Sequence, residues 1–381
     1  MGTNGTWGSF VGQDNNNQVY NNYGVATGGQ NNTAGIPNNN PANAFAQQQY
    51  ATVSGGFQNT ASGGYSTVGG GLSNTANGAG TTVAGGSGNT ASGSNTIVGG
   101  GQTNTASNLC ATVGGGVSNT ASNVNAVVAG GDGNTASGDY SMVGGGSQNT
   151  ANGVGTTVAG GLQNTASGNF GTVPGGYSNI ASGEYSFAAG NRAMTQSAVS
   201  PHRPLSLPTI YNGAFVWADS SNFDFNSAAS NEFAVRATGG VRFVTAINTT
   251  TGAPTTGVQL AAGSGSWSIL SDRNLKENFE SLNGFDVLER LSQIPISEWN
   301  YKAQGGAIRH AGPIAQDFYE AFRLGEDDRH ISAVDSDGIA FVSIQTLYSI
   351  VKAKTQKIDQ LESRLEALER SIKPTAIAAT S

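Results

Sequence analysis

The stretch Thr67-Val68-Gly69-Gly70-Gly71-Leu72-Ser73-Asn74-Thr75-Ala76-Asn77-Gly78-Ala79-Gly80-Thr81 is one of nine copies of a 15-residue unit. The copies begin at residues 52, 67, 82, 97, 112, 127, 142, 157 and 172 and run without a slip to Ser186. In every copy the second position is Val (Val53 to Val173), the eighth is Asn (Asn59 to Asn179) and the tenth is Ala (Ala61 to Ala181). A fixed period of this kind marks a stacked repeat, in which each unit buries its apolar face only against its neighbours. Each unit divides into two halves, such as Ser66-Thr67-Val68-Gly69-Gly70 and Asn74-Thr75-Ala76-Asn77-Gly78, and both read small-polar, x, apolar, x, Gly. Alternation with period two sends the first, third and fifth residues of each half to one face. Two short strands per unit with glycine-bearing bends between them make one coil of a solenoid. Parallel stacking at about 4.8 Å per layer turns nine coils into a rod of roughly 43 Å.

Working outward, two degenerate copies precede the array, with Val11 and Ala26 in the Val column and Asn17 and Asn32 in the Asn column. A break at about residues 36–49 separates them from the main run, so residues 1–51 are read as a degenerate, Asn-rich N-terminal region and 52–190 as the repeat body. The interior is thin. One Val and one Ala per coil do not offset the backbone entropy of ordering 15 residues at about 1–2 kcal/mol each, so association of several chains is the natural remedy. The Asn column is read as a stacked amide ladder or a turn residue that satisfies the backbone, with a metal or anion site as the alternative. The Gly-Gly pairs are not phosphate loops, because no Lys follows them and no helix begins there.

Charge is distributed unevenly. All 17 Lys and Arg lie at Arg192 or later, and residues 1–190 carry only Asp14, Asp132, Asp139 and Glu184. Without basic residues the first half offers neither a nucleic-acid groove nor a face for anionic membranes. The single cysteine, Cys110, excludes an intrachain disulfide framework. No apolar run approaches the roughly 20 residues of a membrane span, and Met1 is not followed by the charged and apolar regions of a signal peptide. No cofactor or metal is expected.

The repeats resemble the head repeats of YadA-like trimeric autotransporter adhesins, which share the Ser-x-Val/Ala-x-Gly…Asn-x-Ala-x-Gly alternation, over about residues 10–190. The resemblance implies a left-handed parallel β-roll, trimerised along its axis, on a bacterial surface or a phage fibre. No anchor strands of the adhesin type follow. Two columns vary freely within the strict repeat and are read as outward: the sixth, with Phe57, Leu72 and Tyr177, and the fourteenth, with Tyr65, Tyr140 and Phe170. Their aromatic and apolar side chains are candidates for contact with a cell-surface receptor, glycan or matrix protein, or for packing between subunits.

From Arg192 to Trp267 the period disappears, and Phe215–Trp217, Glu232–Arg236 and Gly240–Val244 read as short strands. Residues 191–270 are therefore expected to form a β-rich stalk or collar and linker. After Ser271 charges become frequent. Phe285–Leu291 and Ile314–Phe322 are amphipathic, with a strand expected over Ile296–Tyr301. Ile344, Leu347, Val351, Lys354, Ile358, Leu361, Leu365, Leu368 and Ile372 alternate spacings of three and four, a heptad seam with one polar layer at Lys354. Residues 271–343 are read as a small α+β domain and 344–373 as a trimeric coiled coil.

Ser271-Asp272-Arg273-Asn274-Leu275-Lys276 resembles the start of the peptidase S74 intramolecular chaperone domain, the releasable C-terminal domain of phage endosialidases and other tail fibres. His310-Ala311-Gly312-Pro313-Ile314-Ala315-Gln316-Asp317 resembles that family's Gly-x-x-Ala-Gln-acidic stretch, and the likeness covers about residues 268–373. It implies self-cleavage of the Leu270–Ser271 bond, with Ser271 as nucleophile and Lys276 as general base. A lysine does this only if desolvation leaves it neutral. A helix would put residues five apart on different faces, so a turn or bend must bring them together. A Ser/His pair with His310 or His330 is the alternative. The whole then reads as a homotrimeric adhesin or tail fibre, displayed outside a cell or on a virion or injection machine, whose mature part is 1–270. A glycan-degrading tail spike and a purely structural fibre are the rival classes; Asp132 and Asp139, the nearest pair of head carboxylates, both fall in variable columns.

Overall fold

The computed structural model describes residues 2–3, 10–11, 16–20, 23–36, 50–197 and 207–372. The chain divides into two compact units, Met1–Leu270 and Ser271–Ser381.

The first unit is a parallel β-solenoid. Each coil contributes a two-residue strand to each of two ladders, as Thr67–Val68 and Thr75–Ala76 do. Every column pairs with itself one coil on: Val68 opposes Val83, and Ala76 opposes Ala91. The first residue of each strand faces out and the second is fully buried, so the core is a file of the Val and Ala columns. Column six adds a third parallel line of bridges, from Gln30 through Phe57 and Leu72 to Tyr177. Among the described residues, fourteen strands follow one another in the Ala-column ladder, about 13 turns at 15-residue spacing.

The Asn column closes the hydrogen-bond accounts of the bends. Asn74 Nδ2 donates to the carbonyls of Gly70 (2.9 Å) and Gly86 (2.8 Å), and its Oδ1 accepts from the Asn89 amide at 3.0 Å. The pattern repeats from Asn32 to Asn179, whose Oδ1 accepts from the Ala193 amide. These asparagines are buried, and a buried amide with its donors and acceptor satisfied stabilises rather than penalises the fold. The ladder reading of the column holds.

Two features of the solenoid differ from the sequence reading. The gap at 36–49 does not interrupt the stack, because Val25 opposes Thr52, Ala26 opposes Val53 and Thr33 opposes Thr60. Residues 25–36 fill the first twelve positions of a coil and Tyr50 and Ala51 the last two, so the coil is in register on both sides of the gap. The solenoid also runs on beyond the repeats. Phe187–Asn191, Phe215–Ala218 and Phe233–Arg236 continue one ladder, and Ala193–Met194 and Phe225–Asn226 the other. Here the outward column is Phe187, Phe215 and Phe233, whose rings stack at 4.6 and 4.9 Å. Longer connections between these strands erase the 15-residue period while preserving the register.

The end of the stack is tied by Arg236. Its guanidinium donates to Asp219 Oδ1 (2.9 Å) and to the carbonyls of Phe223 (2.6 Å), Ser221 (2.8 Å) and Asn191 (3.2 Å). Hydrogen bonds from the Thr238 hydroxyl and amide, with Ser221 N–H and Arg236, hold the Asp219 carboxyl well below the usual carboxylate range. Beyond it lies an antiparallel sheet of Gly240–Ile247, Pro254–Ala261 and Trp267–Ile269.

The second unit is small and α+β. Helix α1 (Gly284–Gln293) is capped by Asn283, whose side chain accepts from the Phe285 amide at 3.1 Å. Ser297–Trp299 pairs antiparallel with His310–Gly312, then come α2 (Ala315–Phe322) and the 40-residue α3 (Ala333–Ile372). Val287 of α1, Ile294, Phe318 of α2 and Ile339 of α3 form its core. The seam residues from Ile344 to Leu368 are exposed within the single chain. Among the described residues no helix is long and apolar enough to cross a membrane.

Candidate active site and outward columns

The Ser271–Lys276 segment is built around one carboxylate. Asp272, in extended backbone (φ −69°, ψ 133°), turns its side chain so that Oδ1 accepts from the Asn274 amide at 2.9 Å and from Asn274 Nδ2 at 3.0 Å. An Asx cap of this kind offers the chain a turn in place of extension. A single 3-10 turn follows, Arg273–Leu275, closed by Leu275 N–H to Asp272 O and Lys276 N–H to Arg273 O, both at 3.2 Å. Lys276 leaves the turn in extended conformation and its Nζ donates to Ser271 Oγ at 2.7 Å. The bend required by the five-residue spacing is therefore present.

In the first unit the Leu270 amide donates to Gly257 O at 3.0 Å, the last rung of the antiparallel sheet. The Arg273 guanidinium lies over the Phe279 ring, 5.8 Å from its centroid. Ser271, Asp272 and Lys276 are all exposed in the single chain. His310 and His330 have other partners. His310 Nε2 is 2.9 Å from Gln304 Oε1 and its ring lies against Trp299 and Tyr301, while His330 Nδ1 is 2.8 Å from Asp327 Oδ1. Asp272 is the member of this constellation that the sequence reading passed over, although Asp two residues before Asn is an Asx-turn signal.

The outward columns form two files on the solenoid. Phe57, Leu72 and Tyr177 lie on the third line of bridges and are partly exposed. Tyr65, Tyr140 and Phe170 occupy the fourteenth column, in left-handed backbone at φ 57–58°. Tyr65 stacks on Tyr50 at 5.2 Å and Tyr50 on Tyr23 at 4.9 Å, and Phe170 stacks on Tyr185 at 5.4 Å. Tyr65 and Tyr140 are each followed one coil later by glycine, Gly80 and Gly155, and are 66% and 65% exposed. Among the described residues, no group of three or more His, Cys, Asp or Glu is placed to hold a metal ion.

Residues 51–63 match the ubiquitous surface protein adhesin repeat, and residues 271–323 match peptidase S74, the chaperone of endosialidase. No curated protein matches the chain. The second match begins at Ser271, so the dyad candidates lie at its start. A parallel β-solenoid, an adhesin-repeat match at 51–63 and a peptidase S74 chaperone match at 271–323 together point to a fibre- or adhesin-type protein with an intramolecular chaperone.

Proposed function

We propose that the chain is the precursor of a homotrimeric surface or tail-fibre adhesin, and that residues 271–373 trimerise it and then release themselves by one cut at Leu270–Ser271. The observation that carries the cut is the 2.7 Å approach of Lys276 Nζ to Ser271 Oγ, across a turn that begins at the first residue of the peptidase S74 match. In the reaction, neutral Lys276 takes the Oγ proton and Oγ attacks the Leu270 carbonyl carbon. The C–N bond breaks and the proton passes to nitrogen, which becomes the free amine of Ser271. Leu270 is left as an ester on Oγ. One water hydrolyses that ester, giving the Leu270 carboxylate and restoring the Ser271 hydroxyl.

An amine serves as base only when unprotonated, and removal from water favours that form. The pair is exposed in one chain; burial between three chains would supply the desolvation and make cleavage wait for assembly. The S74 family match supports a homo-oligomer. In the released product, 1–270, the outward files of columns six and fourteen would meet the receptor, with the uncovered rings of Tyr65 and Tyr140 as the leading contacts.

The test is the mass of the purified full-length chain. Wild type should yield fragments ending at Leu270 and beginning at Ser271, whereas Ser271→Ala and Lys276→Met should each remain at 381 residues. A single uncut chain from all three sinks the protease assignment. Cleavage that survives in Ser271→Ala removes the nucleophile.

A further inference from the structure

We infer that Asp272 is a positioning residue for this cleavage: its carboxylate, acting as the cap of the 3-10 turn, folds the chain so that Lys276 meets Ser271. The inference rests on the Ser–Lys reading above. Fully extended, five residues would carry the two Cα atoms apart by about 17 Å, farther than a lysine side chain spans. A regular helix would turn the pair to different faces. The observed path is neither. One 3-10 turn sits between two extended residues, Asp272 and Lys276, and redirects Lys276 toward Ser271.

That turn has little else to hold it. None of its residues is buried, and its backbone is closed by two 3.2 Å hydrogen bonds. The shorter bonds are those to Asp272 Oδ1, 2.9 Å from the Asn274 amide and 3.0 Å from Asn274 Nδ2. One oxygen thus secures both the backbone and the side chain of the residue at the centre of the turn. Arg273 faces elsewhere, over Phe279. Asp272 does not itself reach the reacting atoms in this arrangement. Its bonds go to Asn274, and it acts on Lys276 through the turn.

The cap needs an acceptor oxygen, not a charge. This separates positioning from proton transfer, because Asp272→Asn keeps the acceptor and removes the carboxylate. In the full chain, cleavage of Asp272→Ala should slow by about 10- to 100-fold, the scale set by misplacing a catalytic group by about an ångström. Asp272→Asn should stay within about threefold of wild type, with an unchanged pH midpoint. An Asp272→Ala chain cleaving at the wild-type rate overturns the inference. So does an Asp272→Asn chain as slow as Asp272→Ala, since the charge would then be the active feature. Amide hydrogen exchange in a Ser271→Ala background reads the turn without any cleavage. Protection at Asn274 and Leu275 should be lost on adding Asp272→Ala and kept on adding Asp272→Asn, and unchanged exchange in Asp272→Ala overturns the inference independently. If Ser271→Ala itself still cleaves, the Ser–Lys reading fails while the exchange result continues to judge the cap.

Discussion

At the fifth position of each coil, glycine is demanded by contact as well as by conformation. Gly86 has φ +91°, and a Cβ placed there would meet Gly101 O at 2.1 Å and Asn89 Nδ2 at 2.6 Å. Both neighbours belong to the amide ladder and cannot withdraw without breaking it. The seventh position is equally left-handed but opens to solvent, which is why Gln58, Ser73, Thr103 and Ser118 are all accommodated at φ 55–58°. Opposite effects follow at the two columns. Gly86→Ala should cost more than about 3 kcal/mol, since overpacking adds to backbone strain. Thr103→Gly should raise stability by up to about 1 kcal/mol, because a β-branched residue is strained in that conformation and glycine is not. Thermal unfolding of the Ser271→Ala full-length chain measures both; a Gly86→Ala chain melting with the parent would refute the contact argument. The ladder itself was legible in the sequence because an invariant polar column in an apolar file must be satisfied internally. The stacked rings of Tyr23, Tyr50 and Tyr65 were not, since Tyr23 and Tyr50 lie outside the strict copies, with the inserted residues between them.

Two elements carry apolar side chains that their own chain leaves open. One is the outward side of the Val-column ladder, where Ile97 and Met142 are exposed and Phe187, Phe215 and Phe233 stack. Parallel sheets are normally covered on both faces, so in the proposed trimer this side would pack against a neighbouring chain. The other is α3. Its beginning at Ala333, eleven residues before the heptad seam, was hidden from sequence periodicity because Ile339 and Val342 serve the packing against α1 rather than the seam. From Ile344 onward the seam is uncovered, and 40 residues at 1.5 Å each give about 60 Å of helix. A helix of that length with an exposed apolar stripe is stabilised by pairing with others like it. Replacing Leu361 and Leu365 together by Glu puts charge into the seam of every chain. In the Ser271→Ala background, sedimentation should then show monomer where the parent shows trimer, and with Ser271 restored the yield of cut product should fall several-fold. A trimeric mass unaffected by both substitutions would detach assembly from α3.

For the chain as a whole, register matters more than spacing. The sequence reading ended the coil at 190 and separated 1–51 because it followed the 15-residue period, whereas the ladders keep their register from Val25 to Thr52 and continue to Arg236. The two chemistries of the chain were read with unequal ease for the same reason. A periodic column announces itself, but an Asx cap such as Asp272 is a local feature without repetition. This organisation bears on folding. A solenoid can nucleate at any coil and add neighbours in either direction, yet each coil buries only small residues in its Val and Ala columns, so early intermediates of a lone chain are weakly held and present open sheet edges. On the proposed reading, a domain that gathered three chains before the coils stack would raise their local concentration, and its removal afterwards would leave a product kept by the barrier to unfolding rather than by easy reversibility. The expected asymmetry is therefore between making and keeping. Diluted from guanidinium, the uncut Ser271→Ala chain should regain its β circular dichroism and trimeric mass. The 1–270 fragment liberated from wild type should stay trimeric while native, but once denatured should return mostly as monomer or aggregate. Equal recovery of the two would show that the solenoid assembles unaided and that residues 271–381 are not its chaperone.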